Sequence, residues 1–323
     1  MKKWAFILIS FLFLPLVAVA QQSTILVPVE HGQTIETAEA RPSAYNFYVE
    51  KEKKHKPIIA LVLGSGGARG YAHIGAIEAL ESQGIRPDFI VGTSAGSIVG
   101  AMYASGKTAD EMKNIALNMK VNDVREITLT RKGFLDGEKV SDFVNKQIDY
   151  LPLEKMKIPL YIVATELKTG AKTVFDYGNT GQAVQASTAI PSMFIPAKIS
   201  GKEYVDGGLV SPVPVEVARH LGADIVIAVD ILQQPQYTET TNMWGLFNQN
   251  INIMQQHLSQ NELKNADIVI QPDIREKAHI FDVKARDNTM SAGLIAAQNK
   301  IDQLKEIIHQ KSLLMQEKNT EMF

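Results

Sequence analysis

From Pro57 onward, short apolar runs alternate with stretches whose apolar residues recur at helical spacing. The runs are Ile58–Leu63, Phe89–Val91, Leu160–Ala164, Ile225–Val229 and Ile268–Ile270. Short Val- and Ile-rich runs with no alternating polar face predict strands buried on both sides of a parallel sheet. Between them, Tyr71–Gln83, Ala95–Ser105, Thr108–Met119, Lys139–Tyr150, Val215–Leu221, Asn242–Leu263 and Met290–Gln310 predict helices. Gly84 stops the first and Thr108 is placed to cap the third. Lys172–Tyr177 and Lys198–Val205 alternate in polarity beside a glycine and predict antiparallel additions. The pattern predicts a three-layer α/β/α fold around one central, mostly parallel but mixed sheet.

The N-terminus follows a different pattern. Lys2 and Lys3 precede an uncharged apolar run from Trp4 to Val17, and Ala18-Val19-Ala20 then offers small residues at cleavage spacing. A spanning helix needs about 20 apolar residues, so this run is short for an anchor. It predicts a signal peptide over residues 1–20, a mature chain starting at Gln21, and an exported protein, periplasmic or secreted. Residues 21–56 are mixed polar, end in Glu50-Lys51-Glu52-Lys53-Lys54-His55-Lys56, and read as a loose segment ahead of a domain expected over 57–315. The basic cluster reads as a solvated linker in preference to a lipid-binding patch.

Composition narrows the chemistry. The 33 basic and 35 acidic residues nearly cancel, with no dense Lys/Arg block in the body of the chain, which gives nucleic-acid binding little support. With no cysteine, disulfides, thiolate catalysis, zinc knuckles and iron–sulfur clusters are excluded. No ligand cluster for a metal is visible, and no cofactor is expected.

Two glycine-rich turns carry the candidate chemistry. In Phe89-Ile90-Val91-Gly92-Thr93-Ser94-Ala95-Gly96, a strand passes into a helix through Ser94. Gly92 and Gly96 remove side chains that would collide as the turn closes, so Ser94 is forced outward at the helix N-terminus as a candidate nucleophile. The plain alternative is a packed strand–helix corner with a capping serine. In Gly64-Ser65-Gly66-Gly67-Ala68-Arg69-Gly70, small residues let backbone N–H groups approach an anion. One such oxyanion donor is worth roughly 2.7–4 kcal/mol of barrier. A dinucleotide-binding fingerprint competes, with Asp88 as its acid, but its third glycine would fall at Arg69.

A serine hydroxyl needs a base. His31 and His55 lie in the N-terminal segment, and His73, His220, His257 and His309 lie in helical patterns. His279 alone suits a loop after a strand, as a Ser–His–Asp esterase would require. Asp206, in Tyr204-Val205-Asp206-Gly207-Gly208-Leu209, is the better candidate, since two glycines free the backbone for a close approach to another turn, and its site must raise the ordinary aspartate pKa of about 3.9 or align it for transfer in concert with attack. The residues themselves leave open a Ser–Asp pair, an esterase using His279, and a catalytically idle lipid-binding module.

Taken in order, the three motifs make the chain similar to the patatin-like phospholipase family, over roughly residues 58 to 232. The family's Gly-Gly-Gly-X-Arg-Gly loop is matched by Ser65-Gly66-Gly67-Ala68-Arg69-Gly70, its Gly-X-Ser-X-Gly turn by Gly92–Gly96, and its Asp-Gly-Gly/Ala base by Asp206-Gly207-Gly208. Ala186-Ser187-Thr188-Ala189-Ile190-Pro191 resembles a further block of the family. Ser65 departs from the pattern, standing where the family has glycine. The resemblance implies Ser94 as nucleophile, Asp206 as base, and an oxyanion hole at Gly66, Gly67 and Ala68, with Arg69 and Gly70 supporting the loop. It also implies hydrolysis of lipid esters without a metal, on a membrane-derived substrate met in transient contact with a membrane surface.

Overall fold

The computed structural model describes residues 25–28, 34–43, 56–124, 126–128, 130, 133–232, 240–274 and 285–320. The predicted signal peptide and His279 lie outside them. In chain order the strands are β1 (Ile25–Pro28), β2 (Thr34–Thr37), β3 (Arg41–Pro42), β4 (Ile59–Leu63), β5 (Phe89–Thr93), β6 (Glu126–Ile127), β7 (Leu135–Asp136), β8 (Leu160–Glu166), β9 (Lys172–Tyr177), β10 (Ala197–Ile199), β11 (Lys202–Asp206), β12 (Ile225–Val229) and β13 (Ile268–Ile270). The helices are α1 (Tyr71–Ser82), α2 (Ala95–Ala104), α3 (Ala109–Asn118), α4 (Val121–Val124), α5 (Glu138–Gln147), α6 (Thr180–Thr188), α7 (Val215–His220), α8 (Met243–Leu263), α9 (Arg286–Gln298) and α10 (Ile301–Thr320).

The main sheet runs β10-β11-β8-β5-β4-β12-β13, with β9 on β8 and β3 on β9. The pairs β8·β5, β5·β4, β4·β12 and β12·β13 are parallel. The pairs of β8 with β11 and β9 are antiparallel, so the sheet is mixed, as the sequence predicts. Side-chain alternation divides the core into two layers. Leu61, Leu63, Ile90, Ile162 and Ile227 face one cluster, which includes residues of α1, α2, α3, α5, α6 and α9. Ala60, Val62, Val91, Val163 and Val226 face the other, which includes Val215, Val217 and Ala218 of α7. Strands covered on both faces carry no polar stripe, which is why they read as continuous apolar runs.

Several elements differ from the sequence pattern. Lys198–Val205 is not one strand but the hairpin β10–β11, turned through Ser200 and Gly201, both at positive φ. Two positive-φ residues make a turn whose twist matches that of the flanking strands. The single helix expected over Met290–Gln310 is two, α9 and α10, starting earlier and ending later. The turn at Asn299 and Lys300 keeps Ala297, Ile301 and Leu304 on the core, so the apolar rhythm runs through the break. α6 has no counterpart among the expected helices. Part of the polar segment is also built into the fold. Ala40 is fully buried, its N–H donates to Gln182 Oε1, and Ser43 N donates to Val174 O. Edge pairing through the backbone leaves no hydrophobic period to read.

Candidate active site

The register of β8 explains how two distant motifs meet. Its Val163 pairs with Thr93 at the end of β5, and the next residue, Ala164, pairs with Asp206 at the end of β11. Ser94 follows Thr93 directly, at φ 52° and ψ −119°, and α2 starts at Ala95. A non-glycine residue held there stores about 1–3 kcal/mol of backbone strain. Close packing enforces the corner. A Cβ on Gly96 would stand 2.0 Å from the Leu63 carbonyl oxygen, and one on Gly92 would stand 2.8 Å from the Gly96 oxygen. The Ser94 N–H donates to Ser187 Oγ at 2.8 Å, and that hydroxyl donates to Val163 O at 2.6 Å. Ser187 of α6 thus pins the turn to β8. It stands in the Ala-Ser-X-Ala-Ile-Pro block, whose sequence carries no hint of this bond.

Ser94 Oγ donates to Asp206 Oδ2 at 2.6 Å. The other carboxylate oxygen, Oδ1, accepts the Gly208 N–H at 2.7 Å, and Thr165 Oγ1 donates to the Asp206 carbonyl at 2.9 Å. Both residues of the pair are buried. Burial raises the Asp206 pKa to about 6, against the lowering effect of the Ser94 hydroxyl and the Gly208 N–H. The carboxyl therefore titrates in a range where an aspartate can hold and release a proton near neutrality.

The glycine loop lies opposite. Gly67 and Ala68 open a 3-10 turn (Gly67–Gly70), so their N–H groups are among those a helical start leaves without an intrahelical acceptor. Both residues line one cavity with Ser94. Gly66 sits one step back, where a Cβ would stand 2.6 Å from Ile231 Cδ1. Arg69 is buried and donates from Nε to Ile231 O at 2.8 Å. Its pKa falls to about 10 through burial, with Asp230 acting against the fall. It anchors the loop from behind. Gly70 packs on Ala95, and Gly207 and Gly208 form the turn after Asp206. The Ser65 hydroxyl, the departure from the glycine pattern, faces this turn, 2.9 Å from where a Cβ on Gly208 would stand. Asp88 is engaged elsewhere, its carboxylate accepting the Ile59 N–H at 2.7 Å.

The cavity holds about 160 Å³ and is walled by Ile98 and Met102 of α2, Met112 and Ile115 of α3, Phe143 of α5, and Phe194. Ser94, Thr188 and Tyr71 are the lining residues that carry hydroxyls, and the rest of the lining is apolar. Among the described residues, no histidine bonds Ser94. His73 pairs with the Gly64 carbonyl and His220 with that of Glu216. No group of three or more His, Asp or Glu residues among them could hold a metal ion, and no described helix is long and apolar enough to cross a membrane.

Residues 61–219 match the family model described as Patatin-like phospholipase. An uncharacterised NTE family protein of Mycobacterium bovis is 36% identical over 178 residues, covering 54% of this chain and 49% of that protein. Patatin-like phospholipase domain-containing protein 6 of Mus musculus is 31% identical over 208 residues, covering 60% of this chain and 15% of the relative. The chain thus spans half or less of the length of these relatives. Among solved structures, VipD from Legionella pneumophila is 14% identical with a TM-score of 0.43, covering 89% of this chain and 72% of that one. The type III effector ExoU is 12% identical with a TM-score of 0.43, covering 80% and 54%.

Proposed function

We propose that this chain, which carries a patatin-like phospholipase domain over residues 61–219, is a serine acyl hydrolase of lipid carboxyl esters. Its activity would be of phospholipase A or lysophospholipase type. The observation that carries the proposal is the 2.6 Å bond from Ser94 Oγ to Asp206 Oδ2 at the wall of an apolar cavity. In the proposed mechanism Asp206 takes the hydroxyl proton as Ser94 Oγ attacks the ester carbonyl carbon. The tetrahedral oxyanion is met by the N–H groups of Gly67 and Ala68, which are preorganised by the backbone. The alcohol leaves with the proton from Asp206, and an acyl group remains on Ser94. Asp206 then deprotonates water, which attacks the acyl carbonyl; the bond from the acyl carbon to Ser94 Oγ breaks as Asp206 returns the proton to Oγ, and the acid is released.

The apolar lining favours a hydrocarbon chain over a polar acyl group, because each buried CH₂ contributes about 0.8 kcal/mol. The purified protein should react with a fluorophosphonate probe at Ser94 and release fatty acid from a panel of phospholipids, lysophospholipids and neutral esters. Folded Ser94→Ala should do neither. Near-normal turnover by a folded Ser94→Ala protein would sink the proposal.

A further inference from the structure

The segment Ser211-Pro212-Val213 touches all three elements of the site. Ser211 N donates to Gly207 O at 2.9 Å, next to the base. Thr93 Oγ1, beside the nucleophile, donates to Ser211 O at 3.0 Å. Ser65 N, in the glycine loop, donates to Pro212 O at 2.7 Å. Three backbone groups of one short segment therefore fix the relative position of base, nucleophile and oxyanion loop.

A single carboxyl group from a distant helix holds that segment from the other side. Glu262, in the last turn of α8, accepts the Ser211 hydroxyl on Oε1 and the Val213 N–H on Oε2, the latter at 3.1 Å. Glu262 is 5% exposed. Lys172 of β9 stands 3.8 Å from it and also pairs with Glu216 of α7 at 3.3 Å. The α8 helix reaches the base turn again through Gln255, whose Nε2 lies 2.5 Å from where a Cβ on Gly208 would stand.

We infer that Glu262 is a positioning residue for the Ser94–Asp206 pair, acting through Ser211 and Val213 to hold base, nucleophile and oxyanion loop in register. The inference rests on the acyl hydrolase proposal above, and Glu262 lies beyond the residues that match the family model. Two arguments separate this role from ordinary packing. Burial pushes the Glu262 carboxyl up to about 7, against Ser211, Lys172 and the Val213 N–H, so the group is costly where it sits. An apolar side chain of similar volume would be cheaper to bury there. An acid in the last turn of a helix also opposes the helix dipole. What the carboxyl supplies is two acceptors at fixed separation for donors two residues apart.

The test uses the full-length protein with Glu262→Leu, Glu262→Gln and Ser211→Ala, each checked for a cooperative melt. Turnover of a soluble p-nitrophenyl ester and the rate of fluorophosphonate labelling are the readouts. Misplacing reacting groups by about 1 Å can cost about 10²-fold, so Glu262→Leu should lower kcat by roughly 10- to 100-fold with KM within about twofold. Glu262→Gln should restore kcat to within about threefold, because its amide can accept from Val213 and donate to Ser211 Oγ. Ser211→Ala should lower kcat by roughly tenfold, and it decides the matter where Glu262→Leu does not fold. Wild-type kcat in folded Glu262→Leu or Ser211→Ala would overturn the inference, as would a Glu262→Gln loss equal to that of Leu. A wild-type protein that hydrolyses no ester and resists the probe would instead overturn the hydrolase proposal, and the inference with it.

Discussion

The Nε2–H of His73 donates to the carbonyl oxygen of Gly64 across 2.8 Å, tying α1 to the start of the glycine loop. The ring is fully buried, and its Nδ1 has no hydrogen-bond partner among the described residues. Burial drives the His73 pKa down to about 4, with the Gly64 carbonyl opposing the fall, so the imidazole is neutral at physiological pH. It holds the loop and is turned away from proton transfer. His73→Ala should therefore destabilise the fold by about 2–4 kcal/mol, through the lost bond and the cavity left behind. Denaturant unfolding checks the loss, and the folded variant should still label at Ser94.

Activity should depend on the ionisation of Asp206. A base must be unprotonated, and this carboxyl titrates at about 6 because it is buried. The kcat/KM profile should rise with pH through a midpoint near 6. The linked stability runs the other way. The folded state holds its proton to higher pH than the unfolded chain, so this carboxyl's contribution to stability is greatest below the ordinary aspartate pKa of about 3.9 and declines as pH rises toward 6. Matched pH–rate and pH–melting series test both signs.

Gly67 sits at φ +59°, a conformation that a β-branched residue adopts only under strain. Gly67→Val should shift the loop N–H groups and lower kcat more than it raises KM, since oxyanion contacts strengthen in the transition state. Loss of one donor corresponds to about 10²–10³ in kcat. Steady-state kinetics on a soluble ester separate the terms, and a raised KM with unchanged kcat would give the loop to substrate binding instead.

Local pattern made most of this legible. Strand runs such as Ile225–Val229 and the turns around Ser94 and Asp206 announce themselves within a few residues, because burial on both faces and tight corners constrain composition. The capping box at Thr108 and Glu111 is equally local. What escaped depends on contacts far apart in sequence. α6 carries a weak apolar stripe because Gly181, Ser187 and Ala183 are chosen to fit between α5 and β8. Ser187, Ser211 and Glu262 look like ordinary polar residues until the fold sets them against Val163, Thr93 and Val213. The pairing of Ser94 with Asp206 itself depends on the register of β8; the double glycine after Asp206 suggests a close approach to another turn, and the family resemblance names the partner.

In the proposed mechanism Asp206, and not a histidine, takes the Ser94 proton. The most direct measurement is kcat for folded Asp206→Asn beside Ser94→Ala and His279→Ala, on one soluble ester. An aspartate that only orients a histidine leaves the histidine as the base, whereas here it would be the base itself. Asp206→Asn should fall to the Ser94→Ala background, whereas His279→Ala should stay active and keep the same rise in kcat/KM through a midpoint near 6. An active Asp206→Asn protein beside a folded but inactive His279→Ala would contradict the mechanism.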